Sequence, residues 1–368
     1  MNFESHLFYL MLKKLRYILA PLSVVYGFVI GVRNKLYDKN IWRSATFNFP
    51  LICVGNLSLG GTGKTPMTEY LIRLLNKKYS VATLSRGYKR KTKGFAIADN
   101  SSTPIDIGDE PMQLHKKFAN ITVAVAEERI VGIPQLLHAK PGTQVIILDD
   151  AFQHREIKAG LNILLTECEN LYTRDLIVPA GNLRDVKQSS ARADIIVISK
   201  CKAGLNEIEK QDIVAEINPL DHQQVFFTKI EYGNPYHLFS KEEKLFKADT
   251  DALLICGIAN PAPLKEWLDA LVHSYKMLSY KDHHIFNTDD LEEIKKQFTA
   301  LESTNKIILT TEKDGVRLAK YVNELKHLPI YVLPMRHKFL FGEEDKFNSQ
   351  VISFIDSFQR KDENNFIL

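Results

Sequence analysis

Four apolar residues at positions 51–54 run directly into Gly55-Asn56-Leu57-Ser58-Leu59-Gly60-Gly61-Thr62-Gly63-Lys64-Thr65, and a helical apolar periodicity follows over 67–75. A buried strand, a glycine-rich turn and a helix in that order constrain the fold strongly. The glycines let backbone N–H groups approach phosphate oxygens, and the helix N-terminus adds a favourable dipole. Lys64 then reaches the β- and γ-phosphates of a nucleoside triphosphate, and Thr65 is placed to hold Mg²⁺. The nucleotide-binding set is therefore Gly60, Gly61, Thr62, Gly63, Lys64 and Thr65, with ATP as the expected nucleotide. Ser58 stands where the strict pattern has glycine, so the loop is a variant form.

A second signature is Val145-Ile146-Ile147-Leu148-Asp149-Asp150, apolar residues ending in paired acids. A carboxylate at the end of a buried strand is what such a site needs to bind Mg²⁺ directly or through water. Asp149 and Asp150 cannot both face one way on an extended strand, so one is expected to ligate metal and the other to orient a neighbour.

Short apolar runs at 81–84, 121–126, 163–165 and 195–198 alternate with helical patterns, as βαβ units of a mostly parallel sheet do. The composition turns polar at 218–224, and further strand-like runs appear at 225–227, 253–256, 307–309 and 330–332. Length and pattern predict an α/β core over 41–225 and a smaller C-terminal α/β domain over 235–368. The four cysteines are scattered and contain no C-x-x-C pair, which argues against a disulfide framework or a zinc site and for a reducing compartment.

Residues 1–40 are expected to form a separate N-terminal helix. The chain carries a net charge of +4, yet residues 1–43 alone hold seven basic side chains against two acidic ones. That excess flanks an uncharged stretch at 17–32 rather than covering a folded face, which favours an anionic membrane surface over nucleic acid. Pro21, Ser23, Gly27 and Gly31 interrupt the stretch, and it is short for a membrane span. No convincing signal-peptide cleavage site follows it. The expectation is a helix in the membrane interface, with Phe8, Tyr9, Leu12, Leu15, Ile18, Leu19 and Leu22 on its apolar side; a helix packed on the protein's own core is the alternative.

Beyond these patterns, the chain resembles the tetraacyldisaccharide 4'-kinase family of lipid A synthesis. The resemblance rests on 54–58 through Gly63-Lys64-Thr65-Pro66, on Ser85-Arg86-Gly87-Tyr88, Gly108-Asp109-Glu110-Pro111, Asp149-Asp150 with Phe152-Gln153-His154, and Pro179-Ala180-Gly181-Asn182-Leu183-Arg184. Asp282-His283 and Thr311-Glu312-Lys313-Asp314 follow in the expected order. Serine at position 58 fits the family form of the loop.

The resemblance implies transfer of the ATP γ-phosphate to the 4'-hydroxyl of a lipid, a tetraacyldisaccharide 1-phosphate, at the cytoplasmic face of a Gram-negative inner membrane. It also implies a C-terminal domain that closes over the nucleotide. A sugar hydroxyl is a poor nucleophile, so the reaction needs a proton acceptor. Asp109 is the candidate base and His283 its partner, an Asp–His pairing that only domain closure can bring together. Arg86, Tyr88, Glu110, Arg129, Gln153, His154, Asn182 and Asp185 are polar residues in loops suited to the substrate. The family usually has glutamate where Asp185 stands, which puts that residue's role in doubt.

The basic run 86–93 is either a solvated hairpin tip or a contact for headgroups and the substrate's 1-phosphate. The rival function is a membrane-associated ATPase or GTPase switch. Against it, Leu59 replaces the lysine such dimeric ATPases carry, and no N-K-x-D guanine-reading motif is present.

Overall fold

The protein is described by a computed structural model covering Arg16, residues 18–247, 249–258 and 261–365, with side chains described as far as 358. Every apolar run expected as a strand is one. The phosphate loop leaves β1 (Leu51–Asn56), wholly buried, and enters α2 (Lys64–Leu75), preceded in the chain by α1 (Ala20–Asp38). The core sheet is completed by β2 (Val81–Ser85), β3 (Ala96–Ile97), β4 (Thr122–Val125), β5 (Val145–Asp149), β6 (Leu161–Glu167), β7 (Ile195–Ser199), β8 (Gln224–Tyr232) and β14 (Met335–Phe339). Its order is β14-β8-β7-β6-β1-β5-β2-β4-β3, and only the two edge strands run antiparallel to their neighbours.

Helices α3 (Asp109–Lys117), α4 (Arg129–Ala139) and α5 (Glu207–Ile217) complete the connections of this core. Apolar clusters fill both faces, so the strands read as continuous hydrophobic runs rather than alternating ones. On one face α2 buries Met67, Leu71, Ile72 and Leu75 against Ile52, Val54 and Ile147. Each fully buried side chain of this kind contributes about 1.5–3 kcal/mol, which anchors the phosphate loop.

A second, five-stranded sheet has the order β9-β13-β12-β10-β11. Its strands are β9 (Tyr236–His237), β10 (Asp251–Cys256), β11 (Ser274–Ser279), β12 (Lys306–Thr311) and β13 (Ile330–Leu333), packed with α6 (Ala262–Asp269), α7 (Thr288–Thr299) and α8 (Glu312–Leu318).

The smaller unit differs from the expected 235–368. After Leu333 the chain returns to the first sheet as β14, paired antiparallel with the far half of β8 from Thr228↔Phe339 to Tyr232↔Met335. Helix α9 (Glu344–Asn365) then packs Phe347, Val351 and Ile355 into the core cluster beside α2. Strand β14 and helix α9 therefore belong to the core, and the β8–β14 ribbon is a double connection between the units. The expected end of the core at 225 likewise falls inside β8. Only the middle of β14 and its last residue are buried, which is why its sequence carries no strand-like apolar run.

Of the N-terminal prediction, Phe8, Tyr9, Leu12 and Leu15 lie outside the described residues. Helix α1 docks through its polar positions: Ser23 and Asn34 are buried, while Leu22, Val24, Val25, Phe28 and Val29 face outward. Asn34 donates to Asp185 Oδ1 at 2.8 Å and to Ser189 Oγ at 3.0 Å, and the Ala180 amide donates to Ser23 Oγ at 2.9 Å. Helix α1 thus packs on the protein, as the alternative had it, but through polar positions, with its apolar residues outward. Among the described residues, no helix is long and apolar enough to cross a membrane.

Candidate active site

Gly63 opens α2 with φ +88°, a left-handed conformation that glycine adopts without steric penalty. A Cβ there would also lie 2.9 Å from His337 Nε2. His337, on β14, donates from Nε2 to the Gly63 carbonyl at 2.8 Å and accepts at Nδ1 from the Thr228 hydroxyl at 2.9 Å. Burial, aided by the charges of Arg73 and Lys200, pushes its pKa down to about 4, so it stays neutral. Ser199 Oγ donates to the Thr62 carbonyl at 2.8 Å, and Asn56 Nδ2 to Thr62 Oγ1 at 3.0 Å. The loop is thus clamped from β1, β7 and the returning strand, while Gly60 and Gly61 remain exposed.

Lys64 Nζ lies 3.7 Å from Asp150, and Arg184 grips the same carboxylate with two nitrogens at 2.6 and 3.1 Å. Arg184 also donates to Asn56 Oδ1. Asp150 sits at φ +50°, a left-handed position that aspartate tolerates better than most residues. Burial pushes its pKa up, but Lys64 and then Arg184 outweigh it and hold the carboxyl at about 2.

Asp149 behaves oppositely. Burial first, then the negative charges of Glu110 and Asp150, raise its pKa to about 7, while its Oδ1 accepts from Thr68 Oγ1 at 3.2 Å. Among the described residues no three metal-ligating side chains cluster, so a cation here must take further ligands from nucleotide phosphates and water, as Mg²⁺ does.

The two units meet at Asp109. Asp109 stands in the first turn of α3, and its Oδ2 lies 2.8 Å from His283 Nδ1 and 2.6 Å from Arg317 Nη2. The two loops that frame it meet through glycines: Gly108 at φ +95° abuts Gly87, and a Cβ on Gly108 would lie 3.1 Å from Gly87 backbone atoms. This places Tyr88 beside His283, with ring centroids 5.3 Å apart in an edge-to-face contact. Burial raises the Asp109 pKa, but hydrogen bonds from His283 and Arg317 dominate and hold it well below the usual carboxylate range.

The other expected substrate residues divide. Gln153 donates to the Asn56 carbonyl at 2.6 Å, His154 pairs with Glu156 at 2.8 Å, and the Asn182 carbonyl accepts from the Leu59 amide at 2.7 Å. Gln153 and Asn182 thus border the phosphate loop, and the Gln153 carbonyl accepts from Arg33 of α1 at 3.0 Å; Arg86 and Tyr88 are exposed on the segment that follows β2. Glu110 lies instead near Asp149, whose charge state it influences.

Arg129 and Asp185 are both 1% exposed and serve the scaffold. Arg129 donates to the carbonyls of Ala126 and Glu127 at 3.1 and 3.2 Å and braces the end of β5. Asp185 accepts from Asn34, Ser189 and Arg192 and anchors α1. The shorter side chain at 185 thus sits in a buried hydrogen-bond network, away from any open surface. The basic run is not uniformly solvated either: Arg90 is buried and paired with Glu127 at 2.6 Å.

Sequence reasoning passed over Asn56, Arg184, Ser199, Lys313, Arg317 and His337. Asn56, Arg184 and Lys313 lie within the quoted motifs, whereas Ser199, Arg317 and His337 carry no local signature.

A glycine-rich strand–loop–helix turn on a parallel sheet, with a lysine and strand-end acids around it, defines a P-loop phosphotransferase of the α/β class. Comparisons with known proteins narrow the class. The family model for tetraacyldisaccharide-1-P 4'-kinase matches residues 15–356. The chain is 44% identical to a tetraacyldisaccharide 4'-kinase from Bacteroides thetaiotaomicron over 92% of both chains. It is 43% identical to one from Flavobacterium johnsoniae over 93% of this chain and 97% of the relative. A crystal structure of the Aquifex aeolicus LpxK protein in complex with ATP superposes with a TM-score of 0.73 at 30% identity, covering 93% of this chain and 99% of that one. The chain belongs to the tetraacyldisaccharide 4'-kinase family, and it is an ATP-dependent kinase.

Proposed function

We propose that the protein transfers the γ-phosphate of ATP to the 4'-hydroxyl of a tetraacyldisaccharide 1-phosphate, giving the 1,4'-bisphosphorylated lipid. The observation that carries this reading is the meeting of Asp109 and His283, one from each unit, with Glu110, next to Asp109 in the chain, near enough to Asp149 to raise its pKa. A held carboxylate there suits a reaction that must take the proton of an alcohol acceptor.

Lys64 and the amides of the Gly60–Gly63 loop bind the phosphates, which lowers the barrier by stabilising charge on the transferring group. Asp109 accepts the hydroxyl proton as the sugar oxygen bonds to the γ-phosphorus; the bond to the β–γ bridging oxygen breaks and its electron pair leaves with ADP. Thr65, Asp149 and Asp150 are the residues that would hold Mg²⁺. Burial, and then the negative charges of Glu110 and Asp150, raise the Asp149 pKa to about 7, and a divalent cation held there would offset both. When bound, Mg²⁺ neutralises charge on the β- and γ-phosphates.

Helix α1 presents the outward row Leu22, Val25, Phe28 and Val29 near Arg33 and Lys35. That combination suits the interface of an anionic membrane, the surface that delivers a lipid acceptor. We place the protein peripherally on the cytoplasmic face of a Gram-negative inner membrane. Gln153, His154 and Asn182, on the segments beside α1 and the phosphate loop, and Arg86 and Tyr88, on the segment after β2, are the residues for the disaccharide.

The test is transfer of labelled γ-phosphate from ATP to purified tetraacyldisaccharide 1-phosphate in detergent, with and without Mg²⁺. Mg²⁺-dependent labelling of the lipid is the expected result. ATP hydrolysis with no labelled lipid would overturn the kinase reading in favour of a switch.

A further inference from the structure

Lys313 and Arg317 lie four residues apart on α8, hence on one face of the helix, and both reach His283. Lys313 Nζ is 3.0 Å from His283 Nε2 and 2.8 Å from Asp282 Oδ1. Arg317 Nη2 is 2.6 Å from Asp109 Oδ2 and 3.1 Å from His283 Nδ1. Arg317 is itself fixed by buried Asp314 at 3.1 Å, and Asp314 caps the strand-to-helix turn through Thr311 Oγ1 and the Gly257 amide.

One protonation pattern of the imidazole matches two of its three close polar neighbours, Asp109 and Lys313, and the others match fewer. An ammonium and a guanidinium are donors only, and an ionised carboxylate is an acceptor only. With its proton on Nε2, the ring would set a donor against Lys313 at 3.0 Å and a lone pair against Asp109 at 2.8 Å. Doubly protonated, it would press a cation against the Lys313 ammonium at the same distance. With its proton on Nδ1 alone, the ring donates to Asp109 and accepts from Lys313. Arg317 Nη2, 3.1 Å from Nδ1, directs its hydrogen to Asp109 Oδ2 at 2.6 Å, so it does not need a lone pair on Nδ1; Asp282, whose Oδ2 is 3.9 Å from Nε2, and the ring of Tyr88 are the other neighbours, and they do not reverse the pattern.

We propose that Lys313 is a positioning residue of the transfer reaction: by donating to His283 Nε2 it fixes the imidazole proton on Nδ1, so that Asp109, not His283, takes the proton of the acceptor hydroxyl. The statement about proton destination rests on the kinase reading above; the tautomer does not. His283 and Arg317 both fall on Oδ2 of Asp109, and Oδ1 has no hydrogen-bond partner among the described residues. Oδ1 is therefore the oxygen that takes the proton. His283 steadies the carboxylate, with its own second nitrogen closed by Lys313.

The tautomer is read directly by long-range ¹H–¹⁵N correlation on the full chain labelled with ¹⁵N-imidazole histidine, using His283→Gln to assign the signals. The natural protein should show the Nδ1–H pattern, and Lys313→Met should lose it, moving to Nε2–H or to an averaged signal. In the transfer assay Lys313→Met should lower kcat about tenfold or more with the KM for ATP within about twofold, and Lys313→Arg should recover both readouts. An Nε2–H pattern in the natural protein, or an unchanged Nδ1–H pattern in Lys313→Met, would overturn the proposal. Absence of lipid phosphorylation by the natural protein would instead remove the kinase reading, and the spectra would still decide the tautomer.

Discussion

At the phosphate end of the site, Gly63, Lys64 and Thr65 are consecutive in the chain, and the strand and helix around them belong to one sheet. At the acceptor end, Asp109 and His283 are 174 positions apart and are carried by different units. The first end works through backbone geometry and is fixed wherever β1 and α2 pack. The second exists only while the units hold their relative placement, and it is maintained by charged pairs between them: Arg317 with Asp109, and Glu312 with Lys117. The returning β14 links the two designs, because the strand that doubles the connection also carries His337 against the Gly63 carbonyl.

The sharpest way to break the comparison is to disable each end separately. Lys64→Ala should reduce phosphate transfer roughly 10³-fold or more, and it should weaken ATP binding, because it removes charge from the phosphates in ground and transition states alike. Asp109→Asn should lower kcat by roughly 10²–10⁴ while ATP affinity stays within about twofold, since proton acceptance is lost and the loop is untouched. Equilibrium binding of labelled ATP beside the transfer assay separates the two. Equal losses of ATP affinity in both variants would mean that the ends are not independent.

His337 offers a pH test of the link between them. Its folded pKa, about 4, is depressed below the ordinary 6.5, so the folded protein resists taking up a proton that the unfolded chain accepts. Stability is therefore lost as pH falls from 6.5 through 4, by up to roughly 3 kcal/mol for a shift of this size. Chemical denaturation across that range should show His337→Gln losing less stability toward acid than the natural protein. An identical slope in both would remove His337 from the acid response.

Smaller effects belong to α1. Asp185→Ala strands Asn34 and Arg192 and should cost about 1–3 kcal/mol, read as a lowered thermal midpoint. Phe28→Asp, at a position 72% exposed, should leave that midpoint unchanged and lower partition to anionic vesicles roughly tenfold, the scale of one lost buried side chain. Undiminished sedimentation with vesicles would argue against the outward face of α1 as the membrane contact.

Much of this was legible in the sequence. The ten apolar runs became strands because a sheet covered on both faces demands continuous hydrophobic segments, and that demand is local. The phosphate loop was legible for the same reason: its glycines, lysine and threonine act through the conformation of their own segment. The pairing of Asp109 with His283 was expected only through the family resemblance, since nothing local at either position records the other.

Four features were decided by tertiary structure. Strand β14 joins the first sheet although its own residues are half exposed, because pairing with β8 depends on backbone hydrogen bonds and not on side-chain pattern. Arg129 and Asp185 look like surface ligands in a sequence, yet both are buried, Arg129 on carbonyls at the end of β4 and Asp185 on partners that include Asn34 of the distant α1. Helix α1 shows its apolar residues, but which side docks is fixed by Ser23 and Asn34 finding acceptors and donors on the loops after β6. Lys313 and Arg317 gain their meaning from the 3 Å geometry around one imidazole. A residue whose role lies in its own backbone or its own periodicity can be read from the chain, whereas a residue whose role lies in a distant partner's charge waits for the fold to bring that partner within reach.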